Sequence, residues 1–266
     1  MPRYAFKIEY DGKGFSGWQR QKSLKTVQGE IEASLRKLDP SISSIFGAGR
    51  TDAGVHAVAQ VAHCDLAENW DNFKLKEALN FHLKPNKISI LDVRMVSEKF
   101  HARFSAIKRK YLFRLISRRS PLTIESGLAW HIKYELNLSL MLQAKKYLIG
   151  KHDFTTFRST SCQSKSPVKT IDSIEIKKIL LTYGNEYQFE FSAPSFLHNQ
   201  VRSFVGTLEK VGSGILDPSY VKHALLSKDR SLCGPVSPPD GLYLMDVAYP
   251  ENPFERRCED GDVPSC

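Results

Sequence analysis

The 266 residues contain no apolar run near the roughly 18 that a membrane-spanning helix requires. The start, MPRYAFKIEYDG, goes straight into a strand pattern without an apolar leader, so a cytoplasmic protein with no membrane partner is expected. Cysteine is scarce: Cys64, Cys162, Cys233, Cys258 and Cys266 are odd in number and form no C-x-x-C pair. That pattern excludes a zinc ribbon or dithiol redox motif and leaves free thiols. The eight histidines do not pair at ligand spacing, and neither H-E-x-x-H nor G-x-x-x-x-G-K-[ST] occurs, which removes the zincin and phosphate-loop classes. Gly12, Gly14 and Gly17 in GKGFSG fit G-x-G-x-x-G, but WQRQKSLK intervenes before any helical pattern. A dinucleotide fingerprint must open a helix directly, so that reading fails on context.

Acidic residues are also in deficit, 29 Asp plus Glu against 38 Lys plus Arg, a net charge of +9. With 41% hydrophobic residues the chain is long enough for a buried core, and its surplus charge favours a polyanionic partner, nucleic acid or an anionic membrane surface. The basic residues cluster in RQKSLK, HARFSAIKRKYLFR, SRRS and FRSTSCQSKSPVK. Two of these interleave aromatics with cations, as surfaces do that stack RNA bases while holding phosphates.

Periodicity predicts alternating strands and helices. RYAFKIEYDG alternates as a strand. Thr26 precedes a helical face of Val27, Ile31, Leu35 and Leu38 that Pro40 ends, a second helix covers roughly 71–83, and KISILDVRMV is another strand. From Lys108 the pattern begins again: KRKYLFRLIS as a strand, LSLMLQAKKYLIG as a helix, and TIDSIEIKKILL with EYQFEFSA as an antiparallel pair. Leu197, Val201, Phe204, Leu208 and Val211 then fall at helical spacing, with Gly212 as the expected cap, and a shorter helix and the strand GLYLMDVAY follow. Two related α+β halves sharing a sheet are expected, residues 1–104 and 105–250, followed by a loose tail over 251–266 that lacks periodicity.

The segment GAGRTDAGVHA, residues 47–57, sets Arg50 and Asp52 among three glycines and three alanines. Such small residues suit a tight exposed turn, and equally a place where another molecule approaches the main chain. His56 reads as a packing or hydrogen-bonding residue rather than a metal ligand.

Five segments in order, FSGWQRQKSLKTVQGEIEASL, GAGRTDAGVHA, FHARFSAIKRKYLFRL, FLHNQVRSFVGTL and PPDGLYL, resemble the tRNA pseudouridine synthase A family from about Tyr4 to Tyr249. The resemblance implies an enzyme that isomerises uridine to pseudouridine at positions 38, 39 and 40 of the tRNA anticodon arm, with no cofactor and no metal. It implies the pseudouridine synthase fold: two ferredoxin-like α+β halves sharing a central, mainly antiparallel sheet, the active site between them. It also implies a homodimer whose basic clefts hold the tRNA.

By the same resemblance Asp52 is the catalytic carboxylate, either attacking the sugar or base covalently or taking the C2′ proton to give a glycal. Arg202 is its cationic partner against desolvation. Arg50 enters the RNA stack as the target base turns out, and Tyr111 stacks on the uracil and helps proton transfer at C5. On this reading the small residues around Asp52 leave room for the flipped nucleotide. Arg20, Lys22, Lys108, Arg109 and Lys110 are candidate phosphate contacts. Gln200, where methionine is usual, and Lys169, where arginine is common, depart from the pattern. One competing reading, a non-catalytic RNA-binding module, predicts RNP-type aromatic strings that the sequence does not contain, and gives no use to the set Arg50, Asp52, Tyr111 and Arg202; a second is a pseudouridine synthase that acts on another RNA.

Overall fold

Tyr4, Phe6, Ile8 and Tyr10 alternate along β1 (Arg3–Tyr10) and turn to one face, each at most 3% exposed. The period-2 pattern thus sets which side of the sheet receives helices. In the computed structural model, which describes residues 1–255, this strand is followed by α1 (Val27–Arg36), β2 (Phe46–Gly47), β3 (His56–Asp65), α2 (Asn72–Leu83) and β4 (Ile88–Val96). The second half contributes β5 (Lys108–Ser117), β6 (Trp130–Ile132), α3 (Leu138–Ala144), β7 (Gly150–Asp153), β8 (Val168–Ile171), β9 (Ser173–Leu180) and β10 (Asn185–Ala193). It ends with α4 (Gln200–Gly212), α5 (Tyr220–Ser227) and β11 (Leu242–Ala248).

The main sheet runs β4-β1-β3-β11-β5-β10-β9, with β2 added on β3 and β6 on β5. Its pairs are antiparallel except β3 with β11 and β5 with β6. The expected central, mainly antiparallel sheet is therefore present. Within the first half the order is β4-β1-β3-β2, and within the second β11-β5-β10-β9. Setting aside β6, β7, β8 and α5, each half runs β-α-β-β-α-β, the connectivity of a ferredoxin-like unit.

Two cores follow from this order. Val27, Ile31 and Leu35 of α1 and Leu75, Leu79 and Leu83 of α2 pack on the first half's strands, joined by Leu244, Val247 and Tyr249 from the far end of the chain. The first core is thus completed by the last strand. Phe204 of α4 centres the second, with ring centroids 5.3 Å from Phe154, 5.1 Å from Phe157 and 6.1 Å from Phe191. Val55, from the Asp52 loop, belongs to this second core. The halves are therefore knitted by exchange across the β3–β11 seam.

Helix ends match their sequence signals in part. Thr26 accepts the Gly29 N–H at the start of α1, as its place predicts. Gly212 is the last residue of α4 rather than its cap; the chain turns through Gly214, whose φ of +78° is the left-handed conformation glycine favours. The predicted helix at 138–149 passes into a 3-10 turn after Ala144. The pair β7–β8 had no clear periodicity to announce it.

The expected loose tail from 251 falls largely outside the described residues, and Cys258 and Cys266 with it. As far as it is described, the segment stays on the molecule, Phe254 packing against the first core. Among the described residues no helix is long and apolar enough to cross a membrane.

Candidate active site

The loop from Arg50 to Val55 lies just before β3, at the seam between the halves. It is fixed by the glycine-containing stretch that follows β1: Trp18 N–H donates to Thr51 O at 3.0 Å, Gly54 N–H to Phe15 O at 3.3 Å, and Tyr10 shares a 2.7 Å hydrogen bond with the Thr51 hydroxyl. Gly17 has φ +89°, and a Cβ there would stand 2.6 Å from Thr51 O. A Cβ on Gly12 would run into the Val55 carbonyl. GKGFSG is therefore a backbone cradle for the Asp52 loop, which accounts for its glycines without any dinucleotide.

The same geometry changes part of the reason for the small residues around Asp52. A Cβ on Gly47 would lie 2.6 Å from the Trp18 ring, and Ala48 is 2% exposed. The protein's own packing fills those two positions. Gly49 is different, because the nearest atom to a Cβ there is the Tyr111 hydroxyl at 3.8 Å.

Asp52 is partly exposed. Its Oδ2 receives Arg202 Nη1 at 3.2 Å, a contact between residues 150 apart in sequence. Arg202 is itself held, Nε donating to Ser237 O at 2.8 Å and Nη1 to Asn199 Oδ1 at 2.9 Å. Asn199, just before α4, has φ +63°, a left-handed conformation that asparagine tolerates better than most residues. Gln200 is fully buried, its side-chain Oε1 accepting the Leu197 N–H at 2.7 Å.

Tyr111 on β5 meets Phe196 edge-on at 5.2 Å. Burial first, and then the negative charge of Asp52, push its hydroxyl up to about 12. The phenol is therefore protonated through the neutral range and offers a ring face and an O–H donor. Arg50 is exposed and donates to Gln163 Oε1 at 3.1 Å, crossing from one half to the other. All four residues expected at the centre thus converge on one region.

His198 was missed by sequence reasoning. Its Nε2 lies 3.1 Å from Asp52 Oδ1. The one available signal was its place four residues before Arg202, which carries no directional information outside a helix.

The basic residues divide sharply. Arg109, expected as a phosphate contact, is buried, and its guanidinium donates to the carbonyls of Ala48, Arg103, Ala106 and Pro194 at 2.7–3.1 Å. Its donors are spent on the backbone, so that expectation is corrected. Lys108 and Lys110 alternate with Tyr111 along β5 and so leave the sheet on the opposite face. There they line a groove of about 490 Å³ with Glu175 and Glu190, and Lys108 pairs with Asp172 at 3.4 Å. They do not share a cleft with Asp52. Arg20 is half exposed and pairs at 2.7 Å with the fully buried Glu32, while Lys22 is exposed. Lys169 lies on β8 opposite His152.

Comparison with known proteins places the chain in a family. A family described as "tRNA pseudouridine synthase" matches residues 7–105 and 144–250. The chain is 58% identical over 255 residues to "tRNA pseudouridine synthase A" of Dinoroseobacter shibae, covering 96% of this chain and 99% of that one. It is 55% identical over 254 residues to the protein of the same name from a Ruegeria species, covering 96% and 98%. In Paracoccus denitrificans the figures are 55% over 257 residues, 96% and 98%. Among solved structures, a chain from the "Crystal Structure of a Cbf5-Nop10-Gar1 Complex" aligns with TM-score 0.34 and 10% identity over 90% of this chain and 57% of its own, too distant to carry an argument. With the family matched on both sides of the seam, this chain belongs to the tRNA pseudouridine synthases, isomerases that convert uridine to pseudouridine.

Proposed function

We propose that this chain isomerises uridine to pseudouridine at positions 38, 39 and 40 of the tRNA anticodon arm, working as a cytoplasmic homodimer, with Asp52 as the catalytic carboxylate. The reaction breaks the bond from uracil N1 to C1′, turns the base and joins C5 to C1′, after which C5 loses a proton and N1, freed from the sugar, gains one, so that product and substrate are isomers. The observation that carries this reading is the approach of Arg202, from α4, to Asp52 Oδ2 at 3.2 Å. The guanidinium sets a positive charge and a donor against the carboxylate that acts in either chemical route, nucleophilic attack or removal of the C2′ proton.

Around that carboxylate the remaining groups divide the work. Tyr111, kept protonated by its surroundings, supplies a ring for the uracil to stack on rather than a base. Arg50 leaves Gln163 to enter the RNA stack as the nucleotide turns out, its planar guanidinium filling the gap. Arg20 and Lys22 are exposed cations for phosphate on the first half.

The decisive experiment is Asp52→Asn, nearly isosteric and uncharged. Single-turnover conversion of an anticodon stem-loop is expected to fall to background, while filter binding of the same RNA is retained, since phosphate contacts dominate affinity. Conversion at near wild-type rate would remove Asp52 from the chemistry and favour a non-catalytic RNA-binding role.

A further inference from the structure

Asp52 has two partners, and the mechanism above uses one. The second, His198, is held as closely as Arg202. Its Nε2 stands 3.1 Å from Asp52 Oδ1, its Nδ1 lies 3.3 Å from the Ser161 hydroxyl, and its carbonyl accepts the Ser159 N–H at 2.9 Å. Both ring nitrogens and the backbone are therefore engaged. Asn199, with its left-handed φ of +63°, separates this residue from the first turn of α4. The reversal it makes lets positions 198 and 202 converge on opposite oxygens of one carboxylate.

We propose that His198 is a positioning residue for the isomerisation: its Nε2–H fixes Oδ1 of Asp52 while Arg202 fixes Oδ2, and Ser161, donating to Nδ1, holds the ring in the tautomer that makes this possible. The proposal rests on the reading of Asp52 as the catalytic carboxylate. A carboxylate rotates about its Cβ–Cγ bond in a broad, two-fold well, so a single donor on one oxygen leaves its plane free to swing. Donors on both oxygens fix the plane. Each carboxylate oxygen has two lone-pair directions, so one on each remains open toward an incoming nucleotide. A displacement near 1 Å at a reacting group can cost on the order of 100-fold in rate, which makes the second donor worth having. The Ser161 contact also ties this geometry to the segment that holds Arg50 through Gln163. One stretch of the second half thereby meets Arg50 directly and Asp52 through His198.

The test uses full-length wild type, His198→Phe, His198→Gln and Asp52→Asn, each measured for single-turnover rate at saturating anticodon stem-loop and for affinity by filter binding. His198→Phe removes the donor and should slow the saturated rate by roughly 10- to 100-fold with RNA affinity unchanged. His198→Gln, whose amide N–H reaches toward the same oxygen, should recover most of that rate. A wild-type rate for His198→Phe, equal losses in both variants, or a loss confined to affinity would overturn the positioning role. Asp52→Asn separates the two failures. If it is inactive while His198→Phe is unimpaired, only the role of His198 falls; if it converts uridine, the reading of Asp52 falls first.

Discussion

At the scale of single residues, identity of charge says little about role. Arg50 and Arg109 are both arginines near the Asp52 loop, yet one is exposed and the other spends its guanidinium on four carbonyls. Replacing Arg109 by methionine keeps length but leaves Ala48, Arg103, Ala106 and Pro194 without that donor. A buried acceptor left unpaired, as at Ala48, costs about 1–3 kcal/mol, and the part-buried carbonyls of Arg103, Ala106 and Pro194 cost less because water reaches them. A loss of about 3–5 kcal/mol in urea unfolding is expected. Arg50→Ala, by contrast, should leave the unfolding midpoint nearly unchanged and act on turnover.

At the scale of elements, the loop between β2 and β3 owes its shape to a neighbouring turn. Gly14 and Gly17 both have positive φ, +84° and +89°, but a Cβ at 14 meets nothing within 4 Å while one at 17 meets Thr51 O at 2.6 Å. The comparison separates backbone preference from crowding. Gly14→Ala should cost about 1 kcal/mol, the conformational term alone, and leave turnover intact. Gly17→Ala must also push away the carbonyl that Trp18 N–H uses, so it should displace Asp52 and lower turnover well beyond its stability cost. Equal effects of the two substitutions on turnover would show that the cradle does not position the carboxylate.

At the scale of the whole molecule, stability should fall on mild acidification because several histidines are folded in as neutral rings. His63 on β3 is 2% exposed and accepts the Ala102 N–H on Nδ1 at 3.2 Å, and burial holds it down to about 4. Burial likewise lowers His56, which accepts Gly12 N–H, and His101, which accepts Arg103 N–H. An unfolded histidine titrates near 6.5. Below that pH the unfolded chain takes up protons that these folded rings refuse. Their contribution is thus full above about 6.5 and is lost as pH falls, for His63 through about 4. For His63 alone the loss is on the order of 3 kcal/mol. Urea midpoints measured from pH 7 to pH 4 should fall, and His63→Gln, which retains an acceptor, should flatten part of that slope. An unaltered slope in the variant would mean that His63 does not titrate as its burial requires.

Periodicity and local motif were enough to read strands β1, β5 and β10, the Thr26 cap, α4 and the Asp52 segment from the sequence, because each is encoded within a dozen neighbouring residues. The same local pattern left β7 and β8 unannounced, since short strands carry too few alternations. Partnership is a different kind of information. That Arg202 reaches Asp52, that Arg109 is sealed under backbone carbonyls, and that the face of β5 bearing Tyr111, not the one bearing Lys108 and Lys110, meets the Asp52 loop all depend on strand order and on where β11 enters the sheet. The sequence by itself, through its family resemblance and its periodicity, pointed to Arg50, Asp52, Tyr111 and Arg202 and determined most of the segments that become strand or helix. Only the tertiary structure, by inserting β11 between β3 and β5 and bending the chain at Asn199, decided that His198 and Arg202 share one carboxylate, because convergence of residues 146 to 150 positions away is set by packing and not by any spacing along the chain.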